Sequence, residues 1–375
     1  MGLEFIEGNE AVARGAIKAG CNFFASYPIT PASSILHHMQ VLVPEIGGTA
    51  IQAEDEIASI GFCIAAAMTG KKVLTSTSGP GISLYSENIG LAIMGETPMV
   101  IVDVQRQGPA TGSATKGAEG DIQFIRWVTS GGLPVIALSP ATVLESYELT
   151  YIAFNFAEKY RVPVFLMTTQ EVGLIRESVD LDNAKLPPLV NRKKVKSGLN
   201  EYLPHDFNSL EEVPAISDFG GEYIARYTTS THDKAAYLAT KPEVIQEMID
   251  HYTAKIESAI DDITLVKEDL QDGADTLIIS YGIISRSANV AIKKVRESGK
   301  KISSLVLQTI WPVPEKAILK AMNGIKKIIV PEMNMGQYLI EIEKLATPDI
   351  EIIGVNKMDT TLISPDDIIK KGGLL

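Results

Sequence analysis

Through its first half this chain alternates short apolar runs with helical stretches, and few folds can accept that pattern. Strand-length apolar runs fall at 21–27, 49–53, 72–76, 99–104, 133–138 and 162–168. Helical patterns lie between them at 10–19, 31–43, 55–69, 82–94 and 140–160. Strands this apolar must be buried on both faces, which a parallel sheet covered by helices achieves. The βαβα order predicts an open, doubly wound α/β domain over 1–185. Such a domain binds its ligand in the crevice outside the carboxyl ends of its strands.

Four polar motifs fall at those ends. Tyr27-Pro28-Ile29-Thr30-Pro31 follows the first strand. Thr30 reads as a helix N-cap and Pro31 as the first helical residue, a geometry that gathers free N–H groups and suits an anionic ligand. A tight turn with a good cap would look the same. Glu54, in Gln52-Ala53-Glu54-Asp55-Glu56, stands where the second strand meets a helix. It is either a charge that favours the helix N-terminus or a buried acid that exchanges a proton with a ligand nitrogen. Thr77-Ser78-Gly79-Pro80-Gly81 reads as a glycine turn. It lacks the Gly-Lys-Ser/Thr ending of a Walker loop and the spaced glycines of a dinucleotide fingerprint, so it offers close backbone approach instead of a nucleotide-phosphate cradle. In Asp103-Val104-Gln105-Arg106 an apolar strand runs into polar residues. Arg106 is either a surface charge or a bidentate carboxylate clamp. Each signal alone is weak, but their common place at successive strand ends points to one site.

Between 186 and 266 the alternation breaks. Proline, glycine and charge cluster at 186–223, and 242–263 reads as one amphipathic helix. A structureless arm of that length is unusual without a function, so the segment is predicted to pack against the body of the protein. From 267 to 375 a second, smaller α/β unit is expected. Its strands fall at 276–281, 302–307, 327–330 and 351–355, and its helices at 286–298 and 336–345.

The formal net charge of −12 argues against broad nucleic-acid or membrane-surface binding. No apolar run reaches the roughly 18 residues of a membrane span. The acidic segment 1–10 does not look like a signal peptide, so a cytoplasmic protein is expected. Cys21 and Cys63 read as buried, reduced thiols. They are too few to ligate a four-iron cluster, which takes four thiolates. The histidines His37, His38, His205, His232 and His251 show no metal-ligand spacing, and no residue is expected to hold a metal.

In order and spacing, the four motifs resemble the alpha subunit of 2-oxoglutarate:ferredoxin oxidoreductase and its 2-oxoacid relatives, in the thiamine-diphosphate-dependent superfamily. The similarity continues through Gly120-Asp121-Ile122-Gln123 and Ala137-Leu138-Ser139-Pro140. Trp311-Pro312 and Pro331-Glu332-Met333-Asn334-Met335-Gly336-Gln337 look like a transketolase C-terminal domain. The resemblance thus implies a doubly wound pyrimidine-binding domain at 1–185, a connecting arm at 186–266 and a transketolase C-terminal-like α/β domain at 267–375.

The same resemblance implies roles. Glu54 would hydrogen-bond the aminopyrimidine of thiamine diphosphate and favour the tautomer that removes the thiazolium proton. Thr30 and Arg106 would hold the 2-oxoacid, and Ser78 and Gly79 would lie near the pyrimidine. The cofactor stores the electrons while the protein supplies orientation and proton control. The implied reaction is oxidative decarboxylation of 2-oxoglutarate to succinyl-CoA, with coenzyme A as co-substrate and ferredoxin as electron acceptor.

The chain has no Gly-Asp-Gly…Asn-Asn diphosphate and magnesium motif and no cluster cysteines. Mg2+ and [4Fe-4S] are therefore expected on partners: a beta subunit, with gamma and delta subunits beside it. Alone, the chain is expected to be inactive. Gln107 and Ser113-Ala114 depart from the glycine- and proline-containing loop of many 2-oxoglutarate enzymes, which leaves branched-chain 2-oxoacids and pyruvate open as substrates. Also open are a non-catalytic assembly subunit of the same fold and the beta chain of a lipoamide-type dehydrogenase.

Overall fold

The computed structural model describes residues 2–375. Strand β1 (Glu4–Glu7) and helix α1 (Gly8–Lys18) lead into β2 (Phe23–Ser26), α2 (Ser33–Glu45), β3 (Thr49–Gln52) and α3 (Glu56–Met68). Then come β4 (Val73–Thr77), α4 (Gly79–Met94), β5 (Met99–Gln105), α5 (Ile122–Arg126) and β6 (Ile136–Leu138). The first unit ends with α6 (Val143–Tyr160), β7 (Pro163–Thr169), α7 (Gln170–Leu174) and β8 (Arg176–Val179). An irregular arm carries α8 (Pro242–Glu257) and α9 (Ile260–Ile263). The remainder is β9 (Val266–Asp269), β10 (Thr276–Tyr281), α10 (Ile284–Glu297), β11 (Ser303–Leu307), β12 (Thr309–Trp311), α11 (Glu315–Ala321), β13 (Lys327–Glu332), α12 (Leu339–Leu345), β14 (Glu351–Asn356) and α13 (Pro365–Lys371).

The main sheet has seven strands in the order β12-β6-β7-β5-β4-β2-β3. All neighbours pair in parallel except β12, which runs antiparallel to β6. The chain steps outward from β2 to β3 and then returns to the other side of β2 with β4. This reversal opens a crevice at the carboxyl ends of the strands. Along β5 the period of two divides the side chains between the faces. Val100, Val102 and Val104 enter the core under α1, α2 and α6, while Met99 and Ile101 enter the core under α3 and α4. The same alternation puts Asp103 and Gln105 on the Met99 side, where both are fully buried.

The second sheet has the order β14-β13-β10-β11-β9. Its Leu277, Ile279 and Tyr281 share one apolar core with α3 and α4, so the two units are packed together without a break. Strand β12 leaves the second unit to close one edge of the first sheet.

Several elements depart from expectation. Gly79-Pro80-Gly81 is not a turn but the first turn of α4, where a proline costs nothing because its missing N–H has no intrahelical acceptor. Thr30 is not an N-cap. The cap of α2 is Ala32, and Thr30-Pro31 is a cis peptide in the preceding turn. The stretch 242–263 is two helices, broken after Glu257. The strands β1, β8, β9 and β12 are short and lie at sheet edges, and three of them are rich in charge, which leaves little period-two signal.

As expected, the arm packs on the body. Arg192 binds Glu158 and donates to the carbonyls of Ala67 and Lys71 at 2.7 and 2.8 Å, capping the end of α3. Cys21 and Cys63 are buried free thiols, and burial raises both well above the ordinary thiol range.

Candidate active site

Asn9 holds the turn that carries Thr30. It is buried at the start of α1, and its Nδ2 donates to Pro31 O and Ser34 Oγ, both at 2.9 Å. From the end of β5, Arg106 Nη1 reaches across and donates to Thr30 O at 2.7 Å. Arg106 is buried, and its Nε has no hydrogen-bond partner among the described residues. A guanidinium fixed by one arm and unspent on the other is suited to a planar anion. The Thr30 side chain beside it is exposed.

Arg106 opens into a cleft of about 320 Å³, whose wall includes Gly79, Pro80, Gly108, Asp121 and Gln337. Two glycines at the start of α4 are required by close approach. A Cβ on Gly79 would lie 2.8 Å from both Asp121 carboxylate oxygens, and one on Gly81 would lie 1.9 Å from Thr77 Oγ1. Ser78 is buried at the N-cap position, and its hydroxyl has no partner among the described residues.

The wall carrying Asp121 is held by the second unit. Gln337 Nε2 donates to Gly120 O at 2.6 Å, and Gln337 Oε1 accepts from Gln123 N at 3.0 Å. Asn334 Nδ2 donates to Glu119 O at 2.8 Å, and Trp311 Nε1 donates to Ile122 O at 3.0 Å. The motifs at Trp311 and at 331–337 thus shape the cleft from the far unit.

Glu54 stands two residues beyond β3, just before Asp55, which caps α3 by accepting from Ala58 N at 2.7 Å. The shielded acid expected at this position is not seen. Glu54 is exposed, and the buried carboxylate of the motif is Glu56.

All five anticipated residues therefore sit at strand ends: Thr30 after β2, Glu54 after β3, Ser78 and Gly79 after β4, and Arg106 after β5. Thr30 and Arg106 touch directly, and Gly79 shares the cleft with Arg106. Among the described residues, no hydrogen bond or ion pair joins Glu54 to them. Asp103 and Asp121 escaped the sequence reading. The signal was an acid inside an otherwise apolar strand, in the same motif as Arg106. Among the described residues, no group of His, Cys, Asp or Glu is placed to hold a metal ion. His205 and His251, from the arm and α8, gather instead on Glu96.

Residues 14–251 match the family model for the thiamine-diphosphate-binding region of pyruvate flavodoxin/ferredoxin oxidoreductases. The chain belongs to the 2-oxoacid:ferredoxin oxidoreductase family. Residues 274–368 match core domain II of pyruvate:ferredoxin oxidoreductase. A 2-oxoglutarate synthase subunit KorA from Methanocaldococcus jannaschii is 42% identical, with 98% of each chain aligned. A ketoisovalerate oxidoreductase subunit VorB from Methanothermobacter thermautotrophicus is 32% identical, over 99% of this chain and 97% of that one. The solved 2-oxoglutarate:ferredoxin oxidoreductase from Magnetococcus marinus, with 2-oxoglutarate, coenzyme A and succinyl-CoA bound, superposes with a TM-score of 0.92 at 30% identity. That match covers 98% of this chain and 64% of the solved one. The family is one of multi-subunit oxidoreductases, and this chain has the α/β fold of its pyrimidine-binding part.

Proposed function

We propose that this chain is the alpha subunit of an enzyme that oxidatively decarboxylates 2-oxoglutarate to succinyl-CoA and passes the electrons to ferredoxin. The observation that carries the reading is the Arg106–Thr30 contact at the switch-point crevice, with Arg106 Nε left free for an anion. A 2-oxoacid brings a carboxylate next to its reacting carbonyl, so a fixed guanidinium there both binds and orients it. The preference for 2-oxoglutarate rests on relatives: four 2-oxoglutarate synthase KorA subunits are 36–42% identical, against 31–32% for the VorB subunits, while a further 2-oxoglutarate oxidoreductase KorA is 30% identical.

Thiamine diphosphate, when bound, supplies a carbon nucleophile and an electron sink. The residues present fit its pyrimidine half. Ser78 offers a buried hydroxyl without a partner, Gly79 allows the backbone to come close, and Glu54 offers a carboxylate at the neighbouring strand end. Glu54 would accept a hydrogen bond from a ring nitrogen and hold the proton there.

An exposed Glu54 is half a site. Ile57, one turn into α3 from Glu54, is 52% exposed, and Phe62 and Leu84 on α3 and α4 are 40% and 48% exposed. A beta subunit seated on this apolar surface would bury it and close over Glu54. That subunit would bring the diphosphate and Mg2+ site and [4Fe-4S], with gamma and delta subunits completing the complex. None of the described helices is long and apolar enough to cross a membrane.

The test is to copurify the chain with its partner subunits and assay a panel of 2-oxoacids with a viologen dye as acceptor. The highest kcat/KM is expected for 2-oxoglutarate. Faster turnover of branched-chain 2-oxoacids would overturn the substrate, and no turnover of any 2-oxoacid would overturn the function.

A further inference from the structure

Two aspartates that the reading above leaves unused lie behind Arg106. We infer that Asp103 and Asp121 share one proton there and so set the charge that the substrate carboxylate meets at Arg106. The inference rests on Arg106 as the carboxylate anchor.

Asp103 is fully buried in β5, opposite Thr77 of β4 and Met167 of β7. Asp121 lines the cleft, and its backbone N–H donates to Gln105 Oε1 at 3.1 Å, which ties it to the same strand end. An ionised carboxylate only accepts hydrogen bonds. Yet both oxygens of Asp103 and Oδ2 of Asp121 are buried with no donor among the described residues. Buried acceptors left unsatisfied are costly, and a single proton between the two carboxyls supplies a donor that one oxygen of each shares.

Burial, then the neighbouring Asp121, hold Asp103 well above the usual carboxylate range. Burial also raises Asp121, while its hydrogen bond with Asp103 and the charge of Arg106 draw it back. The proton is placed on Asp103, which is fully buried with both oxygens unpartnered, and the negative charge on Asp121, which lines the cleft with Arg106. The other acids nearby are Glu56 of α3, behind Thr77 at Gly81, and Glu119, fully buried two residues before Asp121 and raised well above the carboxylate range by burial. Helix α4 adds only the N–H groups of its first turn.

With one proton the pair offsets Arg106 once. Losing that proton puts a second negative charge beside the incoming carboxylate and weakens its binding. Asp103 and Asp121 act through Arg106 and are positioning residues.

The test measures KM for 2-oxoglutarate against pH in the assembled complex. Above neutral pH the wild-type KM is expected to rise, by up to about tenfold per pH unit for one linked proton, with kcat changing less. Asp103→Asn, whose amide donates to Asp121 at every pH, and Asp121→Asn should both lose the rise. A flat wild-type profile, or an undiminished rise in either folded variant, overturns the inference. Should neither variant assemble, infrared spectra of the wild-type complex with isotope-labelled aspartate decide. A protonated aspartate band persisting at neutral pH is expected, and its absence overturns the pair. If Arg106→Ala leaves KM unchanged, the anchor reading fails instead, and the infrared result stands apart from it.

Discussion

Arg106 spends one nitrogen on the Thr30 carbonyl and leaves Nε without a partner, so on the proposed reading its removal costs both a turn contact and an anion contact. A hydrogen bond to a charged group contributes about 1.5–3 kcal/mol, so Arg106→Ala should raise KM for the 2-oxoacid by roughly ten- to a hundredfold. Steady-state kinetics of the complex check this, and an unchanged KM rejects the carboxylate role. That Arg106, Thr30 and Gly79 would lie together was legible because strand-end residues in a doubly wound sheet converge. Their contacts were not. Thr30 meets Arg106 through its backbone carbonyl, and Gly79 is small because Asp121 approaches from another loop. Such pairings cross long stretches of chain and leave no local pattern. The exposure of Glu54 was illegible for a related reason, since a sequence position does not say which molecule covers it.

Among the elements, the arm is fastened at two buried ionic points. Arg192 holds Glu158, the Ala67 carbonyl in the last turn of α3 and the Lys71 carbonyl just beyond it. Breaking a buried pair from one side strands the other charge, so Arg192→Ala should cost about 3–5 kcal/mol, read as a lowered midpoint in denaturant. A shift within error would show that the arm is not load-sharing with the sheet. The second point is Glu96, 2.9 Å from His205 Nδ1 and 3.0 Å from His251 Nε2. Burial raises Glu96, but Lys255, Arg161 and the two histidines outweigh it and hold it well below the carboxylate range. Burial lowers His205 from 6.5 to about 4, against the pull of Glu96. Both groups bind fewer protons folded than unfolded, so their stability is present near neutrality and is lost on acidification. For His205 the window runs from about 6.5 down to about 4 and is worth on the order of 3 kcal/mol. His205→Asn should flatten this part of the acid loss in thermal melts across that range, and an identical loss would contradict it. That the arm packs was legible from its length, and the parallel strands from their apolar runs. The partners of the arm were not, because Glu96 lies just beyond α4, more than a hundred residues before His205.

For the whole molecule, one apolar core joins the two units, and Gln337 and Asn334 of the second shape the cleft wall of the first. The family motif at 331–337 could be read, but its task could not, since only the packed units bring it to Gly120. The crevice carries a guanidinium with an unpartnered Nε, a close-approach glycine and an exposed acid, and α3 and α4 expose Ile57, Phe62 and Leu84. Catalysis shared across the proposed subunit contact there is the central claim. Its most direct test is turnover of 2-oxoglutarate by the assembled complex carrying Glu54→Ala, with binding of the partner confirmed. Loss of a positioned proton-transfer group should slow turnover by about two to four orders of magnitude while the complex stays together. Wild-type turnover from an intact complex lacking the Glu54 carboxylate would contradict the account.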